Sequence, residues 1–392
     1  MKMLFVHDNR FLKYKDLYYS VFFTNHLLKD RYLKFFDEMT IVGRGQNVND
    51  EIEVNELSLS SCDHVFFDLV ECNNLVFGSL FQRKKIIPII RDAISRCDCA
   101  VVRLPCILGV LAVNLLRKAG KPYLVELVGC AWDSYRNHSL SGKIIAPFMW
   151  YLTRRSVYHA PQVVYITDRF LQKRYPSAGH AYICVNAMID NISEDVLNKR
   201  LDKLRQKNDP GRIVLGSVGA LLKYKGHAYV IEAMPSLIEM GYDVYYEIIG
   251  EGDQTQLREY AKKCNLSDRV ILHGNVKHEA VFEWLDGIDI YVQPSDAEAQ
   301  GRALIEAMSR GCPCVCTAVG GMVELIEPQY VAQKSNPVDI GKKIDLLLRS
   351  DLIEVAKRNF NYVKRFDFTS VENERMLVFQ SAFGGLLDKA NI

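Results

Sequence analysis

Two glutamates eight positions apart, Glu298 and Glu306, lie in the stretch DAEAQGRALIEAM (296–308). The apolar run ahead of them ends near Pro294-Ser295, which leaves Glu298 in a loop and predicts a helix from Gly301. The first amides of a helix have no helical acceptor and form a ready anion site. A glycine there lets a ligand approach the backbone. Glu306 stands about five residues into the helix, roughly 7.5 Å along its axis. A phosphate at the helix start and a carboxylate farther along would grip two parts of one elongated ligand. A nucleoside diphosphate sugar has that layout: diphosphate on the amides, ribose hydroxyls on one carboxylate, sugar hydroxyls on the other. The competing reading is a pair of solvated glutamates on an ordinary helix.

A second stretch, GSVGALLKYKGH (216–227), places a glycine loop with Gly219 after a strand, then Lys223 and Lys225, then Gly226 opening a helix. A cation there can neutralise a diphosphate; solvated lysines are the alternative. The spacing is neither G-x-x-x-x-G-K-[ST] nor G-x-G-x-x-G, which argues against a P-loop triphosphatase and a dinucleotide oxidoreductase. IIGEGDQTQLREY (248–260) and VILHGNVKHE (270–279) put Gly250 and Gly274 at strand ends on the same rim. Main-chain groups from His273 to Val276 could read a base, or be plain loop geometry.

Strands that end in such loops need a scaffold. Short apolar runs alternate with helical patterns: 3–8, 38–44, 64–69, 99–105, 122–129, 162–167 and 182–186 in the first half, and 212–219, 243–250, 269–274, 289–295 and 312–318 in the second. That alternation predicts α/β architecture, with parallel sheets covered on both faces. The chain is long enough for two doubly wound, Rossmann-like domains facing a central cleft, with ligands beyond the carboxyl ends of the strands. The expected domains are 1–195 and 196–370. The polar stretch 191–211, ending Asp209-Pro210-Gly211, reads as the passage between them. Thr369 and Glu372 have capping-box spacing at the start of a last helix, 371–392, whose apolar side needs a bed; the first domain is the candidate.

Net charge is +2, so nucleic acid is not an expected partner. Eleven cysteines form no C-x-x-C pair, and Cys97/Cys99 and Cys312/Cys314/Cys316 alternate in apolar runs. They read as small core residues in a reducing cytoplasm rather than as metal ligands. No secretory segment is expected, and the apolar stretch 100–116 is broken by Arg103, Pro105 and Asn114. The stretches 80–96 and 148–160 mix basic and apolar residues; either could touch an anionic membrane surface or be an amphipathic helix on the sheet.

Together, LGSVGALLKYKG, VILHGNV and DIYVQPSDAEAQGRALIEAMSRGCPCVCTAVGGMVELI resemble the retaining glycosyltransferases of family four, which have the GT-B fold. CVNAMID (184–190) resembles the turn before that family's linker, and YLVELVGCAWD and VVYITDRFLQKRYP look like its bacterial surface-polysaccharide members. The resemblance implies that Lys225 binds the donor diphosphate and Glu306 the ribose. It implies that Glu298 contacts the donor sugar and that backbone amides come from Ala299 to Leu304, with Gly301, Arg302 and Ala303 between. The chain departs from the family at Ala220, where an arginine is usual and for which Lys223 or Arg302 would substitute. It departs again at Val128-Gly129, where the family often has histidine and this chain has Asp133 and His138 farther on. The catalytic candidates are therefore Glu298, Lys225, Asp133 and His138, with His7 and Asp8 on the acceptor side.

What the resemblance implies is transfer of a sugar, with retained configuration, from a UDP-sugar to a hydroxyl of a glycan or lipid-linked acceptor in capsule, O-antigen or exopolysaccharide synthesis. Neither a metal nor a cofactor beyond the donor is expected. The location implied is the cytoplasm, peripheral at the inner face of the membrane. The rival readings are a catalytically silent sugar-nucleotide binder and a GT-B epimerase or phosphorylase.

Overall fold

A computed structural model of the chain describes residues 1–71, 82–137, 140–190, 192–206 and 211–390. The chain divides into two compact units, Met1–Asn186 with Glu372–Ile392, and Ala187–Val371.

The first unit is built on one sheet. Its strands are β1 (Lys2–Tyr14), β2 (Leu17–Ser20), β3 (Glu38–Val48), β4 (Ser58–Leu59), β5 (Val65–Val70), β6 (Cys99–Leu104), β7 (Tyr123–Leu127), β8 (Gln162–Tyr165) and β9 (His180–Ile183). The parallel part runs β5-β3-β1-β6-β7-β8-β9, and β2 and β4 add an antiparallel extension to the far end of β1. Every residue of β6 and β7 is buried, as a strand covered on both faces requires. β1 runs well past the expected 3–8. Its register against β3 slips between Val6 and Arg10, and it pairs with β6 only from Met3 to Val6. The helices are α1 (Asn25–Leu28), α2 (Arg83–Arg96), α3 (Ile107–Ala119), α4 (Ala131–Arg136), α5 (Leu140–Tyr158) and α6 (Phe170–Arg174). Ile86, Ile90, Ala93 and Ile94 of α2 are buried, so the described part of 80–96, from residue 82, is a helix packed on the sheet.

The second unit holds β10 (Ile213–Val218), β11 (Val244–Ile249), β12 (Val270–Gly274), β13 (Ile290–Gln293), β14 (Cys314–Thr317) and β15 (Val331–Ala332), all parallel, in the order β12-β11-β10-β13-β14-β15. Its helices are α7 (Glu194–Gln206), α8 (His227–Glu239), α9 (Thr255–Lys263), α10 (His278–Gly287), α11 (Arg302–Ser309), α12 (Pro337–Leu348) and α13 (Leu352–Val363). The strand order reverses between β10 and β13. In such sheets the crevice beyond the strand ends at that reversal takes the ligand.

Two expectations change. The stretch 191–211 is not the passage between the units: the chain divides at Asn186–Ala187, the described part of the stretch is largely α7, and Asp209-Pro210 lies outside the described residues. Leu197 and Leu201 of α7 pack on Ala356 and Phe360, and buried Arg200 donates to the carbonyls of Ile288 (2.6 Å), Leu285 (2.7 Å) and Arg310 (3.1 Å). The segment reads as polar because Leu197, Arg200 and Leu201 form its buried side, while Asn198, Lys199, Asp202 and their neighbours face water. After β14 the chain makes only a 3-10 turn, Gly320–Glu324. The capping box does not form either. Asp367 accepts from the amides of Thr369 (3.1 Å) and Ser370 (3.3 Å), which leaves Glu372 for another task.

That task belongs to α14 (Phe368–Ala390), most of which completes the first unit. Its Phe379 and Phe383 lie 5.2 and 5.8 Å, centroid to centroid, from Phe36, and Phe379 stacks on Tyr32 at 6.0 Å. Beside this aromatic bed sits a buried charge cluster. Arg375 of α14 and Arg103 of β6 both hold Glu126 of β7, at 3.1 and 2.8 Å, and Arg31 bonds Glu372 (3.4 Å) and Asn186 (2.9 Å). Burial pushes the Glu126 carboxyl up, but Arg103, Arg375 and Arg31 outweigh it and bring it down to about 2. The described cysteines are all free. Cys97, Cys99, Cys312, Cys314 and Cys316 are buried, and burial raises their thiols.

Candidate functional site

In the second unit, the loops that leave β10 and β13 are fastened to each other. The Lys225 Nζ donates to Glu298 Oε1 at 2.7 Å. The Asp296 amide donates to the Tyr224 carbonyl at 2.6 Å, and the Tyr229 hydroxyl to the Asp296 carboxylate at 3.0 Å. Two glycines make this closeness possible. A Cβ on Gly226 (φ 73°) would lie 2.0 Å from the Pro294 carbonyl oxygen, and one on Gly320 (φ 58°) 1.8 Å from that of Glu298. Both positions therefore exclude any side chain, and between them they fix the run that carries Glu298.

A polar chain sets the rotamer of Glu298. Tyr291 donates to Gln293 (2.5 Å), and Gln293 Nε2 donates to Ser295 (3.0 Å) and to Glu298 Oε1 (3.3 Å). Ser295 also donates to Glu298 Oε1 (3.0 Å). With Lys225 there are three donors on one carboxylate oxygen. Just beyond, α11 starts at Gly301 in the left-handed region (φ 88°), and no side chain caps it. The amides of Arg302, Ala303 and Leu304 therefore open the helix as an anion site, with its positive dipole end behind them. α8 likewise starts at a glycine without a side-chain cap.

Glu306, one turn farther into α11, keeps only 7% of its side chain exposed, yet its Oε1 meets the His278 Nε2 at 3.2 Å. His278 opens α10 and is 67% exposed. The hydrogen bond to Glu306 raises its pKa, against a smaller opposing effect of burial. Sequence reasoning missed His278, since a lone histidine far upstream has no spacing that points to a glutamate on another helix. It missed Gln293 and Ser295 for a different reason, as they read as strand-end residues.

The other expected residues fall as follows. Gly219, Gly250 and Gly274 form a ladder, with the Gly219 amide on the Ile249 carbonyl and the Gly250 amide on the Gly274 carbonyl, each at 2.9 Å. Lys223 and Arg302 are exposed, and Arg302 lies near enough to His278 to affect its charge. The His273 imidazole is taken by Glu247 at 2.9 Å, so only its main chain and that of Val276 are left to face a ligand. Ala299 accepts from the Gly321 amide at 2.9 Å.

In the first unit, His7 and Asp8 sit where β1 slips register, at the point where β6 parts from it. A bulge within a strand redirects its side chains. Burial, aided by Arg103, lowers the His7 imidazole to about 3, and its Nδ1 is buried without a partner. Burial raises Asp8, opposed by Arg44, whose Nε donates to the Asp8 carbonyl at 2.8 Å. Arg44 was not foreseen. Asp133 is half-buried in the first turn of α4, beside Cys130. His138 lies outside the described residues. Among the described residues no three His, Cys, Asp or Glu side chains gather as a metal-ligand set.

Residues 199–365, nearly the whole of the second unit, match the family model described as glycosyl transferases group 1. The chain is 32% identical over 381 residues to Protein CapJ of Staphylococcus aureus, covering 96% of this chain and 94% of that protein. Two solved structures share the fold. Anabaena Alr3699/HepE in complex with UDP-glucose has a TM-score of 0.64 at 17% identity and covers 97% of this chain and 100% of that one. WaaG, a glycosyltransferase involved in lipopolysaccharide biosynthesis, has a TM-score of 0.63 at 14% identity, with 97% and 100% covered. With these matches and two Rossmann-like units of GT-B type, the chain belongs to the group 1 glycosyl transferases and is a sugar-transferring enzyme.

Proposed function

We propose that the enzyme transfers a hexose or related sugar, with retained anomeric configuration, from a UDP-sugar to a hydroxyl of a growing or lipid-linked glycan in surface-polysaccharide synthesis. The observation that carries this reading is the Lys225–Glu298 pair at the reversal of strand order, beside the uncapped start of α11. The diphosphate lies on the α11 amides with Lys225 against its charge, and Glu306 takes the ribose hydroxyls. Glu298, held by Gln293 and Ser295, turns its second oxygen to the donor sugar.

In the reaction the bond from the sugar C1 to the diphosphate oxygen breaks and a bond from C1 to the acceptor oxygen forms on the same face. The acceptor proton goes to the leaving diphosphate. Charge grows on that leaving group, so donors fixed in place before the reaction lower the barrier without reorganising. No metal takes part in this scheme. Asp8 and His7 at the β1 slip, with Asp133, are the acceptor-side candidates in the first unit. The bound UDP-glucose of Alr3699/HepE, a protein of the same fold, supports the choice of uridine.

A thermal-shift panel of UDP, GDP, ADP and CMP with their common sugars tests the donor. A ligand at 100 times its Kd stabilises by about 2.7 kcal/mol. Stabilisation by UDP and UDP-sugars alone is expected. A shift with another nucleotide only would replace the uridine, and no shift with any would overturn the donor site; a shift without turnover would favour the silent sugar-nucleotide binder. NMR of the product anomeric proton decides retention.

A further inference from the structure

Glu306 is a buried carboxylate with one loosely held partner. Its side chain is 7% exposed, and the one donor its carboxylate meets among the described residues is the His278 Nε2 at 3.2 Å. A buried carboxylate with a single donor is costly to hold. The glutamate itself is fixed, because Leu304, Ile305, Ala307 and Met308 around it on α11 are buried. His278 is held far less. It is 67% exposed, it is the first residue of α10, and no side chain caps that helix start. Its ring contact is an edge-to-face approach to Phe282, 5.2 Å between centroids. Rotation about its side-chain bonds returns the imidazole to water.

A carboxylate only accepts hydrogen bonds, so Nε2 carries the proton that joins the two. The 2′ and 3′ hydroxyls of a ribose offer the same kind of donor, and adjacent hydroxyls that donate together take both oxygens of a carboxylate. The imidazole and a ribose therefore ask for the same Oε1. The placement agrees with this. His278 comes two residues after the main chain of His273 to Val276, which is left to face a ligand, and Arg302 at the start of α11 lies within its electrostatic reach.

We propose that His278 gates the ribose site: its imidazole competes with the ribose hydroxyls of the donor for Glu306 Oε1, and the donor binds with the imidazole turned out into water. The gate rests on the reading of Glu306 as the ribose carboxylate. Its strength depends on a proton, because an imidazolium holds a carboxylate more tightly than a neutral imidazole does. The hydrogen bond to Glu306 is the largest influence on the ring, and it raises the pKa above the ordinary 6.5. The charged groups that face the ring are Glu306 and Arg302 on α11 and Glu279 on its own helix; both glutamates favour the charged form, and burial and Arg302 oppose it. A donor that breaks the pair brings the ring back toward 6.5 and releases a proton between the two values. Donor affinity is thus lowest below 6.5, rises with pH through that interval and levels off above it.

The test is calorimetric titration of the full chain with UDP-glucose, whose diphosphate carries no group that titrates near neutrality, at about pH 5.5 and about pH 8.5, either side of the histidine range. His278→Ala should bind roughly 1.5- to 5-fold more tightly than wild type at the acid pH, the range for an exposed ion pair, and the gain should shrink at the alkaline pH. His278→Gln keeps a donor for Glu306 but does not titrate, so its affinity relative to His278→Ala should be the same at both. On binding at about pH 7, wild type should release part of a proton, read from heats in buffers of different ionisation enthalpy, and neither variant should. His278 is mostly in water, so the circular dichroism of both variants should match wild type. Equal binding by His278→Ala and wild type at the acid pH overturns the gate, as does a gain that does not change with pH. Weaker binding by His278→Ala overturns it too, and makes the imidazole a contact of the donor instead. Wild type that binds no UDP-glucose at either pH overturns the donor reading itself, and the gate falls with it.

Discussion

Lys225 and Glu298 neutralise each other, so a donor that recruits Lys225 must loosen an ion pair that is already made. Lys225→Ala then does two things: it removes the cation from the diphosphate and leaves Glu298 facing it unneutralised. Loss of one fixed charge at a developing anion is worth about 10²–10³ in kcat. That loss, with the fold intact by circular dichroism, is the expected result; kinetics within a few-fold of wild type would remove Lys225 from the reaction. His278 and Glu306 offer a pH test at the same scale. The folded histidine titrates above its ordinary 6.5, so the pair's stabilisation is complete below that value and fades as pH rises through the raised one. His278→Asn should flatten this limb of the Tm–pH profile, and by little, since most of the imidazole is in water. An unchanged profile would mean the pair does not form in solution.

The elements decide how well those residues are held. Gly226 is the sharpest case, because a methyl there meets the Pro294 carbonyl and a positive φ together. Gly226→Ala should cost more than the roughly 1–2 kcal/mol of a left-handed alanine alone. It should also abolish donor protection in thermal shift, because the displaced run carries Glu298. Retained protection would show that the loop adapts.

The strand–helix alternation, the glycine loops and the helix start at Gly301 were legible because each is local: a strand, a glycine and a charge within a dozen residues. The paired roles of Lys225 and Glu298 were less so. They read as separate grips on a ligand, and the structure ties them to each other 73 positions apart. Arg103 read only as an interruption in an apolar stretch, and Glu372 as a helix cap. Their partners, Glu126 and Arg31, lie in other elements, and nothing periodic announces a buried ion pair. The slip in β1 was invisible for a related reason, since the polar run from His7 to Arg10 reads as the end of the strand rather than as a bulge within it.

For the molecule as a whole, the charge cluster around Glu126 is the point where stability and pH meet. The carboxyl falls from 4.5 to about 2 on folding, so its contribution is present above about pH 4.5 and is lost as pH falls toward 2. Glu126→Gln leaves Arg103 and Arg375 buried without their shared anion. Breaking a buried pair in this way typically costs about 3–5 kcal/mol. A fall in Tm at pH 7, together with a shallower acid limb, is expected by calorimetry. A variant as stable as wild type at pH 7 would show that the arginines find other partners.

The same cluster bears on how the protein is made. Phe36 and Glu126 are synthesised well before Arg375, Phe379 and Phe383, their partners in the fold. At the roughly 5–20 residues per second of synthesis, the aromatic bed and the half-paired carboxylate wait about 10–70 s for the helix that covers them. The first unit to be translated is thus the last to be finished, and nascent chains arrested before residue 372 should be cut by protease in β1 to β7 while the complete chain is not.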